Sequence, residues 1–317
     1  MKLTINTNSI TRKSFLAVSA IVFTAFLGIS TGVNAQSSKK IKAVATTGMV
    51  ADLVKQVGGD RVEVDQMMGP GVDPHLYKPT ARDASRLAKS DVIFYSGLML
   101  EGRMGDLFSR LARSGKNAYP ITESVDKAKL LEPEEFEGHY DPHVWFDVEI
   151  WGQTVPTIVT GLTATDPAGA ETYKKNGAAL EKKMADLHKW CQDKAAELDE
   201  SKRILVTSHD AYNYFGKAYG FKVVGLLGIS TVTEAALADM SSLVDMIKKK
   251  KVSAIFVETS VNPAPIKRVA ADAGVKIGGE LFSDAMGQPG EMHDGVDTGT
   301  YEGMVKHNLN TIVKALK

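Results

Sequence analysis

The chain reads as an α/β protein of two lobes, each with a mostly parallel sheet, joined by one long rigid helix. Three observations predict this. Short β-branched runs alternate with amphipathic helical stretches, which is the pattern of a mostly parallel α/β sheet. The alternation occurs twice, and a long helical stretch with few breakers separates the two occurrences. The length of 317 residues agrees, since about 100–200 residues per domain favours two domains over one.

Residues 1–35 read as an export signal. Lys2, Arg12 and Lys13 form a basic start, Phe15 to Ile29 is an apolar core, and Val33-Asn34-Ala35 fits a small-residue cleavage site. The apolar core is shorter than the roughly 20 residues of a membrane span, and no cysteine follows it to carry a lipid anchor. A periplasmic protein secreted through a cleaved signal peptide and beginning near Gln36 is expected. Removing three cations takes Lys+Arg from 38 to 35 against 38 Asp+Glu, so the balanced charge of the whole chain becomes −3. With 44% hydrophobic and 24% charged residues the composition is that of a soluble globular protein, and no basic excess points to nucleic acid.

In the N-terminal lobe, 36–165, strands are expected at Ile41 to Thr46, Val62 to Met67 and Val92 to Tyr95, with helices near Val50 to Val57 and Ala81 to Lys89. The connector, 166–200, opens with Asp166 as N-cap and Pro167 at the first helical position, where a missing N–H costs nothing. Tyr173, Leu180, Met184, Leu187, Cys191 and Leu198 then keep one apolar stripe. Read from Pro167 to Asp199 this is 33 residues, or about 50 Å of helix. Gly177 marks where two helices would meet at a kink if the connector is not continuous. His188 and Cys191, one turn apart, read as a surface imidazole beside a packed thiol. In the C-terminal lobe, 201–317, strands are expected at Arg203 to Ser208, Lys222 to Leu226, Ala254 to Glu258 and Val275 to Glu280. Thr231 and Glu234 fit a capping box opening a helix over Ala235 to Ile247. That helix ends in Lys248 to Lys251, where cations complement the helix dipole.

A single cysteine excludes an intrachain disulfide framework and every Cys-rich zinc motif, so any metal site must use His and carboxylates. Asp73-Pro74-His75 and Asp141-Pro142-His143 repeat one tripeptide. Proline stiffens itself and the residue before it, so each imidazole hangs from a loop that loses little freedom on binding. The aspartates suit two roles, as acceptors behind the imidazole N–H or as turn formers. His209 and Asp284 both follow strands, and open α/β sheets gather ligands at the carboxyl ends of strands. His75, His143, His209 and Asp284 together would make a four-donor shell for a divalent cation, two donors from each lobe, in the cleft between them. His139, His293 with Asp294, and His307 read as surface residues, with secondary metal sites as the alternative. Trp145 and Trp151 read as packing near the cleft.

The stretches GVDPHLYKPT (71–80), SDVIFYSGLMLE (90–101), YDPHVWFD (140–147), TSHDAYNYFGKAYG (207–220), GISTVTEAALADM (228–240) and LFSDAMG (281–287) resemble the metal-binding solute receptors of bacterial ABC importers, the TroA-like family of zinc, manganese and iron receptors. The resemblance runs in order through nearly all of the chain after the leader. It implies two α/β lobes, one rigid connecting helix, and a metal ion held in the cleft for delivery to a membrane permease and its ATPase by a monomeric receptor without chemical turnover. The family's ligand positions fall on His75, His143, His209 and Asp284.

Manganese receptors of the Gram-positive lipoprotein type carry Glu where this chain has His209. Receptors dedicated to zinc usually carry a His-rich acidic loop before the second ligand; here Glu123 to Gly138 is acidic but has no His, so the resemblance does not single out zinc. Three imidazoles favour zinc, a bidentate Asp284 would suit manganese, and Fe2+ stands third. The competing function is a periplasmic metal-dependent hydrolase, but a catalytic zinc keeps an open position that four protein donors would close. A surface adhesin is a weaker reading still, for want of an anchoring cysteine.

Overall fold

In the first half the runs Ile41–Ala45 and Val92–Tyr95 become the central, largely buried strands, while Val62–Gln66 takes an edge with alternating exposure. The computed structural model describes residues 39–102, 104–136 and 138–317, so the expected export signal lies outside the described residues. In chain order the first half contains β1 (Ile41–Ala45), α1 (Gly48–Gly58), β2 (Val62–Gln66), α2 (Ala81–Lys89), β3 (Val92–Tyr95), α3 (Met104–Arg113), β4 (Ala118–Pro120), α4 (Val148–Gly152) and α5 (Val155–Thr165). The strands form one parallel sheet in the order β2-β1-β3-β4. After α6 (Ala170–Ala195) come β5 (Ile204–His209), α7 (Asn213–Tyr219), β6 (Lys222–Leu227), α8 (Leu237–Lys250), β7 (Ala254–Glu258), α9 (Ala264–Ala273), β8 (Lys276–Leu281), the short hairpin β9 (Met292–His293) and β10 (Val296–Asp297), and α10 (Tyr301–Leu316).

The second half repeats the order of the first. β5 pairs with β6 and β7 with β8, both parallel, and β5 lies beside β7. The sequence of strands is then β6-β5-β7-β8, with the first strand of the half again second in line. In such an order the connections leave in opposite directions from the first and third strands, which opens a crevice at their carboxyl ends. His209 ends β5 and Glu258 ends β7, so both lie at that crevice. His209 is the last residue of its strand rather than the first residue after it.

The connector is one continuous α-helix of 26 residues, about 39 Å long, shorter than the 33 residues expected. Asp166 does not cap it. Its carboxylate accepts from Arg61 Nε at 2.8 Å and Nη2 at 2.6 Å and from Tyr173 Oη at 2.7 Å, and Pro167–Gly169 form a 3-10 turn before α6 begins. At the other end the chain turns after Ala195 and buries Leu198, whose carbonyl accepts from Arg203 Nε and Nη2. The buried stripe of α6, Tyr173, Gly177, Leu180, Met184, Leu187, Cys191 and Ala195, packs against α1, α4 and α5 from the first half and α7 and α10 from the second.

Gly177 does not kink the helix. A Cβ there would meet Val159 Cγ2 at 2.7 Å, so the glycine lets α5 and α6 approach closely. Burial pushes the Cys191 thiol up to about 12, which makes it an inert packing group, and His188 uses its ring nitrogens on Tyr219 Oη and Gln192 instead. The expected capping box of α8 is also displaced. The helix begins at Leu237, where Asp239 accepts from Ala236 N at 3.2 Å, and the Thr231 hydroxyl is committed elsewhere, to Asp73 Oδ2 at 2.5 Å.

If close contact is the reason for Gly177, replacing it with valine overpacks the α5–α6 interface and lowers stability by about 1–3 kcal/mol, read from the midpoint of urea unfolding. Gly177→Ala decides between the two accounts. Were the helices free to part, alanine would raise stability by about 1 kcal/mol through helix propensity; a neutral or destabilising result is expected.

Candidate metal centre

The two Asp-Pro-His loops start alike and finish differently. In each, the aspartate accepts from the backbone N–H of the histidine two residues on, Asp73 Oδ1 from His75 N at 2.8 Å and Asp141 Oδ1 from His143 N at 3.0 Å, which is the turn that a short carboxylate favours. Asp141 also accepts from the ring, His143 Nδ1 at 2.8 Å. It is held by Asn213 Nδ2 on its second oxygen, and its backbone carbonyl accepts from Tyr214 Oη. Asp73 spends its second oxygen on Thr231 instead, which ties the His75 loop to the segment between β6 and α8. Asp141 therefore takes both roles that the sequence left open, and Asp73 only that of turn former.

His209 is oriented by a carboxylate on the neighbouring strand. Glu258 Oε1 accepts from His209 N at 2.9 Å and Oε2 lies 2.5 Å from His209 Nδ1. Sequence reasoning missed Glu258 as a functional residue; the available signal was a single acid closing the apolar run Ala254 to Val257 at a strand's carboxyl end. Asp284 sits in a stapled loop. Phe282 N donates to Asn308 Oδ1 and Phe282 O accepts from Asn308 Nδ2 and Tyr212 Oη, while Trp145 Nε1 donates to Ser283 O at 3.1 Å. Trp145 is fully buried, so it packs beside the site, as expected, and also links the His143 turn to the Asp284 loop.

These supports bring His75, His143, His209 and Asp284 together. One donor atom from each lies within 4.8 Å of all the others, and this is the one such group of His, Cys, Asp or Glu found among the described residues. His75 Nε2 is 3.2 Å from His143 Nε2. The distances to Asp284 are 3.3 Å from His209 Nε2, 3.5 Å from His143 Nε2 and 3.8 Å from His75 Nε2. Bonds of about 2.0–2.1 Å to a tetrahedral cation would separate the donors by about 3.3 Å. His139 is exposed and apart from this set, and Trp151 is a core residue packed edge-on to Trp145.

The electrostatics of the cluster ask for a cation. His143, His209 and Asp284 are at most 1% exposed, and His209 Nε2 and both Asp284 carboxylate oxygens have no hydrogen-bond partner. An unpaired buried carboxylate costs several kcal/mol. Burial raises the Asp284 pKa, but His209, His143 and His75 outweigh it and hold the carboxyl well below its usual range. Burial lowers the His209 pKa, but Glu258 and Asp284 outweigh it and hold the imidazole protonated well above 6.5. His75 goes the other way: burial, with its two imidazole neighbours, pulls it down to about 3 despite Asp284. It stays a neutral donor. Two ring nitrogens facing at 3.2 Å need a cation or a shared proton between them.

Comparison with known proteins places the chain in a family. Residues 43–315 match the family described as zinc-uptake complex component A, periplasmic (ZnuA). The chain is similar to the manganese-binding lipoprotein MntA of Bacillus subtilis, 40% identical over 95% of this chain and 98% of that one. It is also similar to the iron ABC transporter substrate-binding lipoprotein MtsA of Streptococcus pyogenes, 33% identical over 94% of this chain and 98% of that one. The zinc-binding protein TroA of Treponema pallidum is 41% identical over 89% of this chain and 91% of its own length. Its solved structure superposes with a TM-score of 0.82, covering 87% of this chain and 99% of that one. With its fold, its parallel sheets and the whole span of strands and helices matched, the chain belongs to the ZnuA/TroA family of metal-binding substrate-binding proteins.

Proposed function

We propose that the protein is the extracytoplasmic solute receptor of an ABC importer, capturing one divalent metal ion in the cleft between its lobes and passing it to the permease and ATPase. The observation that carries this is the buried set of three imidazole nitrogens and one carboxylate, with His209 Nε2 and both Asp284 oxygens otherwise unpartnered. His75, His143, His209 and Asp284 are the proposed ligands, with residues 36–165 and 201–317 as the two jaws and 166–200 as the connector. Asp141 and Glu258 fix the Nδ1 sides of His143 and His209, as carboxylates behind metal-bound imidazoles do. Zinc is the favoured cargo, on ligand softness and near-tetrahedral donor spacing, with manganese and iron after it. The relatives named for manganese, zinc and iron support a divalent cargo of this group. A periplasmic location is supported by the family description and by the leader-like start of the sequence. A hydrolase is not supported, because four protein donors fill the shell a catalytic water would need.

Calorimetric titration of metal-stripped protein is expected to give one tight Zn2+ per chain. Asp284→Ala and His75→Ala should each weaken it at least about 100-fold, and Glu258→Gln about 10–100-fold by releasing the His209 ring. Unchanged binding in both ligand variants would sink the proposal.

Because His209 is protonated in the metal-free protein, metal must displace a proton. Titrations at pH 7 in buffers of different ionisation enthalpy should report about one proton released per ion from His209. Affinity should fall about tenfold per pH unit as the pH is lowered below 7. The metal-free fold follows the opposite sign. A raised histidine pKa stabilises it fully below 6.5 and progressively less as the pH rises through the raised value.

A continuous α6 packed against helices of both halves leaves no flexible strand hinge, so closure on metal should be small. Small-angle scattering profiles with and without Zn2+ should nearly superimpose; a large compaction would contradict the rigid connector.

A further inference from the structure

Beyond the four-donor centre, we propose that His293 and His307, oriented by Glu291 and the Glu280 carbonyl, form a second and weaker divalent-cation site in the groove beside Phe282. The seven histidines of the chain narrow the search. Three belong to the buried cluster, His188 has both ring nitrogens in hydrogen bonds, and His139 is exposed with its ring against Phe136. The remaining two, on the hairpin strand β9 and on helix α10, lie edge to face with ring centroids 5.4 Å apart.

That separation fits a shared ion. With a metal–nitrogen bond of about 2.0–2.1 Å, two imidazole centres on one tetrahedral cation fall about 5.2 Å apart. In the buried cluster, His75 and His143 are 5.3 Å apart, as are His143 and His209, while His75 and His209 are 6.1 Å apart. The supporting hydrogen bonds are of the same kind too. His293 Nε2 is 2.9 Å from Glu291 Oε1, and His307 Nε2 donates to Glu280 O at 3.2 Å. A carboxylate or a carbonyl on one ring nitrogen is the usual support of a metal-bound imidazole, and it leaves Nδ1 of each ring as the free donor. The Phe282 ring contacts both imidazoles, and an open groove of about 480 Å³, lined by Pro70, Gly71, Glu280, Phe282 and Glu291 among others, leaves room for waters to complete the shell. Two donors in solvent must bind more weakly than four in a dry site.

The test is titration of the full metal-stripped chain with Zn2+, read by calorimetry and by histidine side-chain NMR. Zn2+ beyond the first equivalent should shift His293 and His307 together in the unaltered protein. His293→Ala and His307→Ala should each abolish the weaker class while the tight class persists, and Glu291→Gln should weaken it about tenfold. A single class of sites, or a weaker class that survives in the double alanine variant, would mean that the two rings are only stacked, and would overturn the proposal. The outcome is separable from that of the buried centre. Loss of the tight class in Asp284→Ala with the weaker class intact supports both, and a weaker class without any tight one supports this site alone.

Discussion

Burying a carboxylate with both oxygens free of hydrogen bonds costs several kcal/mol unless a cation faces it, and Asp284 is held in that position at 1% exposure. Much of the architecture around it serves that constraint. Three imidazoles surround it; His209 is held protonated, and the rings of His143 and His209 are set by carboxylates on Nδ1, while His75 is fixed through its backbone N–H by Asp73. The protonated His209 stands where a metal would later take over the charge. The protonated His209 thus neutralises the buried anion, and under the proposed function exchange of that proton for a divalent ion would be the step of capture.

Holding four donors within a few ångströms requires elements from both halves to keep a fixed relation. Helix α6 does this by burying one stripe against helices from each side. Gly177 lets α5 come close enough to share that core. The loop contacts add direct ties across the chain, Thr231 to Asp73, Trp145 to Ser283 and Asn213 to Asp141. A site held by such ties is preorganised, which lowers the ordering cost of binding.

Much of the fold was legible because parallel strands buried on both faces write themselves as continuous apolar runs. The expected strand Val92 to Tyr95 and helix Ala81 to Lys89 coincide with the observed elements, and most other boundaries shift by a residue or two. The misses share a cause. Thr231 with Glu234 resembles a cap locally, but the hydroxyl finds a better acceptor in Asp73, 158 residues away. Asp166 resembles an N-cap, but a guanidinium and a phenol claim its carboxylate.

By itself the sequence determined the α/β class, the repeated half, the helical connector and the four residues whose side chains converge, since periodicity and stiff Asp-Pro-His loops are local properties of the chain. Only the tertiary structure decided which carboxylate backs which ring. Glu258 reaches His209 across 49 residues and Asp141 reaches His143 across two, while the twin aspartate of the first tripeptide is drawn off to Thr231. His293 and His307 likewise read as separate surface residues until the hairpin and α10 fold onto one groove. Hydrogen-bond partners are chosen by distance in space, and a buried donor or acceptor accepts whichever partner the packing of distant segments presents.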